Sequence, residues 1–115
     1  MKHVKLRPRI IKVFGRSYVI SYVQPALNSG GVPAVGMCDN YNLEIYVLEG
    51  QHPVEEANNL IHELLIALWF TMSIDHEGLD EEGMVRRLAS GLVGVFLDNP
   101  KLLAYLKSIK DHSIK

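Results

Sequence analysis

The chain has 115 residues, 48% of them hydrophobic and 22% charged, with a formal net charge of −1. That gives room for one domain around one core, and it is too apolar a composition for wholesale disorder. The near-neutral balance argues against a dedicated nucleic-acid or membrane-surface binder, and the single cysteine, Cys38, excludes an internal disulfide.

The N-terminus is basic (Lys2, Lys5, Arg7, Arg9), but only Ile10–Ile11 follows before Lys12, which is no signal-peptide core. A cytoplasmic protein is the expectation. Ile10–Phe14 and Tyr18–Val23, on either side of Gly15–Arg16, read as a β-hairpin. Gln24 to Pro33, with two prolines and the Asn28-Ser-Gly-Gly31 cluster, reads as a loop, and a short strand follows over Ala34–Met37. Asp39-Asn40-Tyr41-Asn42 is turn chemistry, after which Leu43–Leu48 alternates as a strand.

From Pro53 the period changes. Pro53 suits a first helical turn and Glu55–Glu56 the positive end of the helix dipole, so a long helix is predicted over about 54–73. Its second half, Leu64 to Phe70, is apolar all round and predicts burial on several sides; it is too short to cross a bilayer. Asp75 to Gly78 breaks the pattern. A second helix runs from Asp80 to Asp98, with Met84, Val85, Leu88, Ala89, Leu92, Val95 and Phe96 on its apolar stripe. Asn99 then reads as the N-cap and Pro100 as the first residue of a third helix carrying Leu102, Leu103, Leu106 and Ile109. The expected fold is α+β in a single domain over 1–115. A small N-terminal antiparallel sheet (1–50), hairpin plus strand, is followed by three helices (53–110).

The chemistry concentrates in Leu60-Ile61-His62-Glu63-Leu64-Leu65-Ile66. A helical His-Glu-x-x-His sets two imidazoles one turn apart on one face, where both reach one Zn²⁺, and the glutamate acts as general base to the metal-bound water. Here His62 and Glu63 are present, but the residue four after His62 is Ile66, which offers no lone pair. A bare His-Glu pair also fits a histidine bonded to a carbonyl and a glutamate facing solvent.

The order of elements narrows this choice. Gly36-Met-Cys-Asp-Asn leads into Leu43-Glu-Ile-Tyr-Val, then the His62-Glu63 helix up to Trp69. The acidic stretch Asp80-Glu81-Glu82 precedes Val85-Arg-Arg-Leu-Ala-Ser-Gly-Leu92, and Val95-Phe-Leu-Asp-Asn-Pro-Lys-Leu-Leu103 closes the pattern. From Gly36 to Leu106 the chain resembles a family of small gluzincin-like metallopeptidases of phages and prophages. The resemblance implies a minimal zincin-like fold with His62 as zinc ligand, Glu63 as general base, and Glu82 or Glu81 as the carboxylate ligand from the next helix. Ile66 departs from the pattern at the second histidine. Losing a direct ligand costs more than the ~10–100-fold typical of an outer-shell change, so zinc is expected to be weak or absent. His76, beyond the helix end, is a substitute ligand to consider; His52 is a weaker one.

The resulting expectation is a degenerate zincin-like protein of phage or prophage origin, a non-catalytic binding or regulatory module. The strand at Leu43, Ile45 and Val47 would pair with an extended segment of a protein partner, with a host protein as a natural target. The alternative is an active zinc hydrolase completed by His76, by both Glu81 and Glu82, or by a second chain. Charge bears on the partner. All Lys and Arg lie in 1–16 and 86–115, and all acidic residues except Asp98 and Asp111 lie between, which favours a basic partner segment or basic ends folded over an acidic middle. Trp69 and Phe70 suit either core packing or a homo-oligomer contact.

Overall fold

The structure, a computed structural model, describes residues 6–24, 35–74 and 78–113. Four strands precede three helices: β1 (Ile10–Val13), β2 (Arg16–Val23), β3 (Gly36–Asp39), β4 (Glu44–Leu48), α1 (Pro53–Thr71), α2 (Glu81–Asp98) and α3 (Pro100–Ser113). This is an α+β arrangement. The loop expected over Gln24–Pro33 and the break at Asp75–Gly78 fall largely outside the described residues, and so does His76.

The sheet is mixed rather than antiparallel, in the order β1-β2-β4-β3. β1 and β2 form one antiparallel pair and β3 and β4 another, and the two join through parallel pairing of β2 with β4, from Val19 opposite Glu44 to Val23 opposite Leu48. Alternation reports which side chains are buried but not which way the neighbouring strand runs, so the parallel junction left no trace in the hydrophobic pattern. The first turn also shifts by one residue. Phe14 and Gly15 both take positive φ (51° and 79°), as a two-residue hairpin turn of type I′ requires, so Arg16 belongs to β2.

The helices cover one face of the sheet. Ile11, Val13, Tyr18, Ile20, Ile45 and Val47 point into the core and meet Leu60, Leu64, Ala67 and Leu68 of α1, spaced by three and four residues as a helix face demands. Each fully buried Leu, Ile or Val contributes about 1.5–3 kcal/mol relative to exposure. α2 reaches α1 at Gly91, where a Cβ would stand 2.8 Å from Met72 Sδ and 2.9 Å from Leu68 Cδ2. Only Gly91 and Val95 of α2 are fully buried, and Val85 is exposed. The apolar stripe read along α2 therefore exceeds the surface that α1 and the sheet can cover.

Two polar ties cross the core. Glu56 is 1% exposed; it accepts from Arg7 Nη2 (2.6 Å) and Nε (3.2 Å) and from the Tyr105 hydroxyl (2.7 Å). The Arg7 guanidinium also lies 4.8 Å from the centre of the Tyr22 ring. Asn99, buried at the α2–α3 junction, does not cap α3 with its side chain. Its Oδ1 accepts from Lys12 N (2.8 Å), and its Nδ2 donates to Lys12 O (2.9 Å) and Val95 O (2.7 Å). The amide thus occupies the outer hydrogen-bonding edge of β1, and the Asn99 backbone carbonyl alone receives Leu102 N (3.0 Å) from the third helix.

Candidate functional site

α1 starts because Pro53 fixes φ in its first turn and His52 Nδ1 accepts from Val54 N at 3.2 Å. His52 is therefore a helix cap. One and a half turns of helix separate Glu56 from His62, and here the two residues of interest diverge. The His62 side chain is 68% exposed and Glu63 only 8%, and their closest charged atoms, His62 Nε2 and Glu63 Oε2, lie 4.0 Å apart.

Glu63 turns under β3. A Cβ on Gly36 would sit 2.9 Å from Glu63 Oε2 and 3.1 Å from its Cγ, so the missing side chain of Gly36 is what admits the carboxylate. Among the described residues no hydrogen-bond donor engages it. Burial pushes the Glu63 carboxyl above the ordinary glutamate range, opposed only by the nearby His62. The Cys38 thiol beside it is pushed up to about 11, first by burial and then by the Glu63 charge, and it leans on Asn40 Oδ1 at 3.3 Å. Asn40 Oδ1 also receives the Tyr18 hydroxyl at 2.9 Å. Cys38 is half-buried and unlike the low-pKa thiols used as nucleophiles.

Ile66 shares the outer face of α1 with His62 and is 39% exposed, as are Trp69 (39%) and Phe70 (42%). The all-round burial expected of this half-helix is not found, because the layer above the sheet is one helix deep at this point. Tyr41, just after β3, meets the Phe70 ring edge-on with centroids 5.8 Å apart.

Among the described residues, those implied as a zinc set do not converge. Glu81 and Glu82 are exposed on the first turn of α2, and Glu82 Oε2 faces Arg86 Nη2 at 3.5 Å. The contact between α2 and α1 lies at Gly91, roughly 13 Å further along the helix at 1.5 Å per residue. Among the described residues no three His, Cys, Asp or Glu side chains come together in a way that could hold a metal ion. With Ile66 in the place of a second histidine, the described donors His62, Glu81 and Glu82 do not make up a zinc-binding set.

The partner strand changes as well. Leu43, Ile45 and Val47 have no free edge, because β4 lies between β2 and β3; Val19 N donates to Leu43 O (2.9 Å), and Ile45 and Val47 are fully buried. The outer strand on this side is β3. Leu48 N donates to Val35 O (3.1 Å), which by the alternation of an antiparallel ladder gives Met37 and Asp39 to β4 as well. Gly36 and Cys38 turn their N–H and C=O groups away from β4, and no described strand pairs with them. Asp39 ends β3 by accepting from Tyr41 N and Asn42 N (3.0 Å each) and from Asn42 Nδ2 (2.8 Å), which lowers its pKa. Sequence reading missed Gly36 as the residue that makes room for Glu63. A glycine next to a strand and before an alternating run is the signal that pointed to such an approach.

No helix among the described residues is long and apolar enough to cross a membrane. Compared with protein-family models, curated proteins and solved structures, the chain matches none.

Proposed function

We propose that this chain is a degenerate zincin-like protein working as a non-catalytic binding module, and that it takes an extended partner segment along β3. The observation that carries this reading is the arrangement around Glu63. α1 tucks that carboxylate under β3 at Gly36, while Ile66, Phe70 and Tyr41 stay exposed beside an edge whose Gly36 and Cys38 backbone groups point outward. An added strand would satisfy those groups, and its alternate side chains would meet the apolar stripe. The acidic residues of the middle segment favour basic side chains at the remaining positions.

The test has two arms. Calorimetric zinc titration should show no tight site, and a chelator should leave the melting temperature unchanged; about one tight zinc per chain sinks the non-catalytic reading. Peptides selected from a displayed library should alternate apolar residues and lose binding to Cys38→Pro, which removes an outward donor from the edge. Selected binders indifferent to Cys38→Pro would place the binding surface elsewhere.

A further inference from the structure

An open cavity of about 410 Å³, with much of its mouth on the surface, lies between the β1–β2 turn, the end of α1 and α2, lined by Phe14, Arg16, Thr71, Met72 and Arg87. Three features set it apart from an ordinary surface hollow. First, two arginines line it. Arg87 Nη1 donates to Met72 O at 2.8 Å, which fixes the fork against the end of α1, and among the described residues neither Arg16 nor Arg87 is salt-bridged. A helix C-terminus carries only about half a negative charge, so among the described residues the two arginines outweigh it.

Second, Phe14 stands at φ 51° in the first central position of a type I′ turn, where asparagine, aspartate or glycine is favoured and a bulky side chain is rare. The turn geometry does not call for phenylalanine, yet its half-exposed ring forms a wall of the cavity. Third, Thr71 has a buried hydroxyl with no hydrogen bond of good geometry to any described residue. The Tyr18 hydroxyl gives its own proton to Asn40 Oδ1 at 2.9 Å, and its oxygen is the nearby acceptor that Thr71 meets off-axis.

We propose that this cavity binds a small aromatic oxyanion, an aryl carboxylate or an aryl phosphate. The flat ring lies against Phe14 and Met72, and the oxyanion is shared by Arg16 and Arg87, whose planar forks suit carboxylate and phosphate alike.

NMR titration with benzoate, phenyl phosphate and inorganic phosphate tests this directly. Both aryl probes should give saturable shifts at Gly15, Met72 and Arg87, in the millimolar range or tighter, and the tighter of the two identifies the anion class. Arg16→Gln and Arg87→Gln should each weaken binding about tenfold, the scale of one charge-assisted hydrogen bond, while Arg86→Gln on the exposed face leaves it unchanged. Phe14→Asn separates binding from folding: it suits the turn and should raise the melting temperature while weakening the aryl probes. The proposal is overturned by an absence of saturable shifts with both aryl probes. Inorganic phosphate binding as tightly as phenyl phosphate, or Arg86→Gln weakening binding as much as Arg16→Gln, overturns it equally.

Discussion

Glu56 and Glu63 stand two helical turns apart on the buried face of α1, and they are held in opposite ways. Glu56 receives both ends of the Arg7 fork and the Tyr105 hydroxyl. Glu63 is nearly as buried, at 6% against 1%, yet its nearest charged neighbour is His62 at 4.0 Å and no described donor reaches it. A buried carboxylate is tolerated when donors replace the water it loses. By that standard Glu56 ties the N-terminal segment and α3 to the helix. Glu63 is held without a described donor, its carboxylate packed under the strand edge at Gly36.

The largest effect that can test this contrast is on Glu56. Glu56→Ala should cost about 3 kcal/mol in urea unfolding, because the partly buried Arg7 guanidinium keeps only its ion pair with Glu49 (3.3 Å) and the Tyr105 hydroxyl loses its acceptor, and the double change with Arg7→Met should recover part of the loss. A cost no larger than that of a surface substitution would erase the contrast. Asn99→Ala serves as an uncharged comparison on the well-paired side: one buried hydrogen bond to Val95 and two partly buried ones to Lys12 are lost, for about 2–3 kcal/mol.

Glu63→Gln should act with the opposite sign, stabilising the fold by about 1 kcal/mol at neutral pH. The pH dependence follows from the raised pKa. Between the ordinary glutamate value of 4.5 and the higher folded value, the folded state holds more protons than the unfolded one, so stability falls as pH rises through that window. Glu63→Gln should remove that slope from a series of unfolding curves. The smallest effect is at Gly36→Ala, about 1 kcal/mol, since the new methyl meets the end of a flexible side chain. In a Glu63→Ala background the penalty should shrink, and a double-mutant cycle without coupling would mean that the two residues do not meet.

Much of the fold was legible in the sequence because periodicity and punctuation recorded it. The change from alternation to helical spacing at Pro53, the break at Asp75–Gly78 and the Asn99-Pro100 restart placed the helices to within a few residues. What escaped depended on contacts between distant segments. The parallel junction of β2 with β4 hides Leu43, Ile45 and Val47 inside the sheet and passes the open edge to β3. Asn99 looks like a helix cap from its neighbours, but its side chain serves Lys12, 87 residues away in the chain. Ile66, Trp69 and Phe70 read as core by composition, yet burial depends on whether a second layer covers them, and none of the described helices does so fully.

His62 and Glu63 were legible as a pair and not as a geometry. Adjacent residues on a helix point about 100° apart, so one can face solvent while the other faces a strand. Arg7, Glu56 and Tyr105 carried no local signal at all, because the network spans the chain and each residue is ordinary in its own segment.

The most direct measurement is an NMR titration of the Glu63 side-chain carboxyl carbon in the intact chain. A midpoint above the ordinary glutamate value of 4.5 is expected for a buried carboxylate that lacks donors. A midpoint at or below that value would show a donor or a cation seated on Glu63, and would contradict the contrast with Glu56 on which the binding-module reading rests.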